Sequence, residues 1–181
     1  RRQDPEVILI GEIRDKETAS IAMELSMTGH LVLSTLHTNT AIGSITRLRD
    51  MGIEPFLLSS SLIGVLAQRL VRVLAAEWKE TYVPGPAEFE AVARPADAEL
   101  RLVRPAHDRP EGESGFRGRT GIYELVEIDS SLRGLIHGEA SEKEMEERAR
   151  ISYPSLIEDG WAKATSGVTS LEEVLRVTRE R

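Results

Sequence analysis

The 181 residues contain no cysteine, which excludes disulfides, a thiolate metal cage and a cysteine nucleophile. A basic excess is missing as well: 23 Lys and Arg stand against 30 Asp and Glu, a formal net charge of −7. A general nucleic-acid binder needs a basic patch to neutralise phosphates, so nucleic acid is not an expected partner. The longest uncharged stretch, Pro55 to Gln68, falls well short of the ~18 apolar residues of a membrane span. The first residues do not read as a signal peptide, because Arg1-Arg2 runs into Gln3-Asp4-Pro5 with no apolar segment before a cleavage site. An initiating methionine is lacking too, and the expectation is a soluble, cytosolic piece of a longer protein. No internal repeat or low-complexity tract stands out.

What is present is the composition of a globular chain. At 40% hydrophobic and 29% charged residues, it can bury a core and is neither disordered nor collagen-like. Its length allows one domain and a little over at the prior of ~150 residues per domain. Charge is unevenly placed: residues 1–74 carry eight acidic and eight basic side chains, and residues 75–181 carry 22 and 15. That asymmetry points to two regions.

Val7-Ile8-Leu9-Ile10 is a short β-branched run between Asp4-Pro5 and Gly11, as expected of a strand buried on both faces of a parallel sheet. Asp15 caps a helix that ends at Gly29. The second apolar run, His30 to Leu36, follows at once, so strand, helix and strand form a βαβ unit. Thr38-Asn39-Thr40 offers caps for a helix bearing Ile42, Ile45, Leu48 and Met51, closed by Gly52. Pro55 predicts a third helix running to about Arg69, and Leu70 to Leu74 reads as a strand.

From Trp78 to Gly115 the pattern breaks, with Pro84, Pro86, Pro95, Pro105 and Pro110 punctuating a polar stretch of short pieces. Order resumes with a strand over Thr120 to Ile128 and three helices, two of them announced by the S-x-x-E capping boxes at Ser141 and Ser170.

The chemistry lies at the strand ends. Glu12 and His37 each sit just past the C-terminal end of a predicted parallel strand, the edge at which open α/β sheets bind ligands. A carboxylate there orders Mg²⁺ or polarises an attacking water in nucleotide hydrolases, and a neighbouring His stabilises the γ-phosphate. The plainer readings stand beside this one: a solvated or capping Glu, and a structural His. Arg14 follows Glu12 by two residues. Arg69 and Arg72, three apart, suit either a phosphate and a neighbouring subunit or carboxylates on the surface.

Two long blocks carry a resemblance. Arg2-Gln3-Asp4-Pro5-Glu6, continuing through Val7-Ile8-Leu9-Ile10-Gly11-Glu12-Ile13-Arg14-Asp15, resembles the Walker B block of the secretion ATPase superfamily. Thr28-Gly29-His30 through His37-Thr38-Asn39 resembles its His box. Arg47 to Ser61, Gln68 to Arg72, Gly115 to Leu125 and Gly167 to Leu175 are more similar to the type II secretion ATPases, the E family of the general secretory pathway, than to pilus relatives.

The resemblance implies an α/β fold: a partial RecA-like P-loop ATPase core over 1–74, a small excursion over 75–115 and a C-terminal strand and helical region over 116–181. It also implies a homo-hexamer at the cytoplasmic face of the bacterial inner membrane, bound to inner-membrane secretion platform proteins. That ring would use ATP and Mg²⁺ to power pseudopilus assembly and protein export. Glu12 matches the Walker B glutamate and His37 the His-box histidine, while Arg2, Arg14, Arg69 and Arg72 fall on recurrent basic positions of nucleotide or intersubunit contact. A type IV pilus assembly ATPase and a non-catalytic subunit-interaction fragment are the alternative readings.

Two departures matter. No G-x-x-x-x-G-K-[ST] loop occurs in the chain, so these residues alone are expected neither to bind ATP tightly nor to hydrolyse it. The family's four zinc-binding cysteines fall at Ala75, Trp78 and near Asp108 and Glu111, of which the first two cannot ligate a metal. No structural zinc is therefore expected. Trp78, Tyr82, Phe89, Leu100 and Leu102 either form a small apolar core for the excursion or leave it mobile.

Overall fold

The structure is a computed structural model that describes residues 6–179. Its backbone contacts divide the chain into two units, one of Arg1–Ala67 with Leu125–Tyr153 and the other of Gln68–Glu124 with Pro154–Arg181.

In the first unit, β1 (Val7–Ile10) and β2 (Leu31–Ser34) pair in parallel, with Val7 opposite Leu31 and Ile10 opposite Ser34. The crossover between them is α1 (Lys16–Met27). Asp15 starts this helix as expected, its Oδ1 accepting the Thr18 N–H at 2.8 Å, a cap worth about 1 kcal/mol. Gly29, at φ +97°, turns the chain out of the helix, a conformation that costs glycine nothing. Thr40 likewise caps α2 (Ala41–Asp50) through the Gly43 N–H, and Gly52 at φ +84° closes it.

The helix expected from Pro55 to Arg69 is shorter. After α3 (Pro55–Ser61) the chain becomes β3 (Gly64–Leu74), whose burial alternates residue by residue rather than every third or fourth. Gly64 weakens helix continuation, and Val65, Val71 and Val73 favour an extended backbone. The unit continues with the end of β6 (Phe116–Glu127), α5 (Ser130–His137) and α6 (Glu142–Arg150). Ile42, Ile45, Leu58, Leu132, Ile136 and Met145 are fully buried where these helices meet. Arg49 secures the turn between α5 and α6 by donating to the Ala140 carbonyl at 2.6 Å and the Glu139 carbonyl at 3.2 Å.

The β1–β2 pair departs from expectation in one respect. Val7, Leu9, Leu31 and Leu33 lie on one pleat, and all four are substantially exposed, Leu9 at 75%. The run was read as buried on both faces because parallel strands are ordinarily covered by a layer on each side. Among the described residues the sheet has two strands, and that pleat is left exposed.

The second unit holds most of β3, which pairs with β6, and a 3₁₀ turn over Ala76–Trp78. Its antiparallel pair is β4 (Lys79–Tyr82) with β5 (Leu102–Pro105), with α4 (Pro86–Ala91) between them. The region expected to lack long elements thus contains only short ones, but they are ordered. Helices α7 (Leu156–Thr165) and α8 (Leu171–Thr178) complete the unit.

Four helices follow β6 rather than three. The capping boxes at Ser141 and Ser155 are formed, and Ser170 caps α8 through the Glu173 N–H. Pro86 opens α4 at its first position, and Pro154 stands directly before the Ser155 cap of α7.

Candidate functional site

The parallel register carries two side chains to one edge. Beyond Ile10 and Ser34 the strands stay joined: the Ile13 N–H donates to the Thr35 carbonyl at 2.9 Å, and the Thr35 hydroxyl donates to the Gly11 carbonyl at 2.7 Å. Thr35, which the sequence reading did not single out, therefore ties the loop after β2 to the loop after β1. Its signal was its place two residues before His37, at a strand end with no helix cap to supply.

With the loops tied, His37 Nε2 stands 2.6 Å from Glu12 Oε1, and Arg14 Nη2 stands 2.6 Å from Glu12 Oε2. Glu12 is mostly covered, with its side chain 21% exposed, while Arg14 and His37 remain open to solvent. The Oε1 atom itself is closed to solvent, with the His37 ring beside it. Hydrogen bonding from Arg14 holds the Glu12 carboxyl below the usual carboxylate range against a smaller opposing effect of burial, and the charge of Arg14 and the neighbouring His37 add to the lowering. Reciprocally, Glu12 holds the Arg14 guanidinium above its ordinary value. Glu12 is thus an anion at neutral pH, fixed between the Arg14 guanidinium and the His37 imidazole at the C-terminal edge of a parallel sheet.

Downstream, the Thr38 hydroxyl lies 2.7 Å from that of Ser44, and Thr40 caps α2, so the segment after His37 is built on hydroxyl contacts.

The other candidates are placed differently. Arg2 lies outside the described residues. Arg69 and Arg72 lie on the part of β3 assigned to the second unit. The Arg69 guanidinium donates to the Gln68 carbonyl at 3.0 Å. Arg72 is anchored: Nη2 donates to Glu173 Oε2 at 2.8 Å, and the guanidinium stacks 4.1 Å over the Phe116 ring.

The positions where the family resemblance implies zinc do not fit that ion. Ala75 is buried and offers no donor, and the Trp78 indole presents only an N–H. Asp108 and Glu111 are exposed residues beyond β5. Among the described residues, no group of three or more His, Asp or Glu gathers around a common point.

Glu12 does fit the role of a partner for Mg²⁺ or water, being an anionic oxygen donor set beside a basic ring. Among the described residues, no helix is long and apolar enough to cross a membrane.

The family model described as type II/IV secretion system protein matches residues 1–176. The chain is 60% identical over 179 residues to the type II secretion system protein E of Pseudomonas aeruginosa, and 55% identical to the type II secretion system ATPase E of Vibrio cholerae. Each alignment covers 99% of this chain and 36% of the relative, so the chain spans about a third of their length. In fold it is similar to the pilus retraction motor PilT, solved with bound ADP, at TM-score 0.68 and 24% identity over 98% of this chain and 41% of that one. It is also similar to the Legionella pneumophila ATPase DotB, at TM-score 0.64 and 20% identity over 96% and 38%.

Proposed function

Because the chain belongs to the type II/IV secretion system protein family, we propose that it supplies the Walker B and His-box portion of an ATPase that drives type II secretion. The observation that carries this reading is the 2.6 Å approach of His37 to Glu12 at the edge of the β1–β2 pair. Two groups that serve phosphate chemistry are brought together there by 25 residues of crossover and by the Thr35 bond to Gly11.

Glu12 acts on the attacking water and His37 on developing phosphate charge, with Arg14 keeping the carboxylate ionised and oriented. Bound Mg²⁺ would neutralise phosphate charge beside Glu12. In this reading residues 1–74 hold the Walker B and His-box part of the core, residues 75–115 form an excursion, and residues 116–181 form a C-terminal strand and helical region. The phosphate-cradling loop comes from polypeptide other than these 181 residues, in keeping with the share of the relatives' length that they span.

The assembled enzyme is a homo-hexamer held to inner-membrane platform proteins on the cytoplasmic side, and its hydrolysis of ATP powers pseudopilus assembly and export. Arg2, Arg69 and Arg72 are proposed to serve at nucleotide or subunit contacts.

The test is steady-state ATP hydrolysis by the full-length protein carrying Glu12→Gln. Turnover falls at least about 100-fold while nucleotide affinity is retained, because the carboxylate acts on water rather than on nucleotide-binding contacts. A turnover number equal to the wild type's overturns the assignment.

A further inference from the structure

We infer that residues 75–115 fold without a structural metal ion, seated on α7 and α8 by an apolar core and closed by a cluster of charge around Glu80. The donor chemistry at the zinc-equivalent positions gives the first half of the argument. Ala75 and Trp78 remove one side of a tetrahedral cage, and their backbones are already employed: the Ala75 N–H donates to the Gly115 carbonyl at 3.0 Å, and the Trp78 carbonyl accepts the Ala106 N–H at 2.9 Å. The job a metal would do, pinning the two ends of the excursion together, is done there by ordinary main-chain hydrogen bonds.

The contents of the excursion give the second half. Leu102 of β5 is fully buried, and with Val92 it packs against Leu171 and Val174 of α8. The Phe89 ring of α4 meets Trp161 of α7 at 6.2 Å and 57°, a tilted aromatic geometry that adds to the burial. On the other side, Glu80 accepts from Arg104 Nε at 2.6 Å and from the His107 N–H at 3.1 Å. Arg104 lies 4.7 Å over the Tyr82 ring, and the Tyr82 hydroxyl donates to Glu88 at 2.6 Å. Glu88 in turn accepts the Gly85 N–H at the start of α4. Each short element is therefore joined to another by contacts that need neither thiolate nor metal, and the whole depends on the C-terminal helices.

The experiment follows tryptic cleavage of the 181-residue chain after Arg101, alongside metal analysis of the purified chain. Cleavage proceeds at the same rate with chelator, with added zinc and with neither, and zinc is far below one equivalent. Val92→Ala, in the same core cluster, accelerates cleavage at this site at least about tenfold, because opening of the segment controls access. Phe89→Leu, a milder change in the same core, accelerates it less and guards against outright unfolding of the first variant. Faster cleavage in chelator, or one equivalent of zinc in the purified chain, overturns the inference. So does unchanged cleavage in both variants.

Discussion

Glu173 receives Arg72 twice, at Oε2 from the guanidinium at 2.8 Å and at Oε1 from the backbone N–H at 3.0 Å, across 101 residues of sequence. Arg176 binds the same carboxylate with two more donors, at 2.9 Å and 2.6 Å. Burial would raise the pKa of this 1% exposed side chain, but the hydrogen bonds from Arg176 and Arg72 outweigh it and hold the carboxyl at about 2. A carboxyl with a depressed folded pKa stabilises the fold above its unfolded value, and that contribution is lost as pH falls through the folded one. Glu173→Gln is expected to destabilise the second unit by about 2 kcal/mol at neutral pH, a buried-pair penalty reduced because both arginines are half exposed. It should also flatten the acid dependence between about pH 4.5 and 2. Thermal unfolding across that range checks both; a midpoint unchanged at pH 7 would show that the cluster contributes nothing.

Arg14 has a different duty, at the candidate catalytic edge. Since its hydrogen bond is the main influence lowering the Glu12 pKa, Arg14→Ala in the full-length enzyme should let that pKa rise. The acid limb of the turnover–pH profile should therefore move to higher pH, with the plateau near neutrality affected less. A limb that stays in place would mean that Glu12 is not the group titrating there.

The 181 residues by themselves are expected to hydrolyse ATP at no more than the background rate and to bind it weakly, because no phosphate loop lies within them. Isothermal titration and a phosphate-release assay on the isolated chain measure this directly. Turnover comparable to that of the full-length protein would require a phosphate cradle of another kind.

Gly160 in α7 faces Val174 in α8, where an added Cβ would sit well inside contact distance of Val174 Cγ1 and 3.2 Å from Cγ2. Gly160→Ala should cost about 1–3 kcal/mol despite alanine's higher helix propensity. The double variant with Val174→Ala should recover much of it. A single variant as stable as the wild type would mean that the two helices separate freely.

Much of this arrangement was written locally. Asp15, Thr40, Ser141 and Ser170 cap helices where their side chains require, and Glu12 and His37 are found after apolar runs because parallel strands end together. The errors arose where local signals compete. Pro55 opens a helix, but Leu62 to Arg69 is apolar enough to continue it on paper, and pairing with β6 takes those residues into β3 instead. Three helices are expected after the last strand and four are found among the described residues; Asp129 caps α5 through the Leu132 N–H, and Gly134 interrupts the run of that helix. Arg72 could not be assigned between a phosphate and a carboxylate, because Glu173 has no local relation to it. Likewise, nothing near Phe89 announces Trp161.

The exposed pleat of Val7, Leu9, Leu31 and Leu33 belongs to residues 1–74, the stretch whose charges cancel. The net charge of −7 that would keep copies of this chain apart is carried by residues 75–181. This apolar surface thus comes from the stretch that adds nothing to electrostatic repulsion. Colloidal behaviour of the isolated chain is accordingly expected to be governed by those four side chains, with self-association that added salt strengthens rather than relieves.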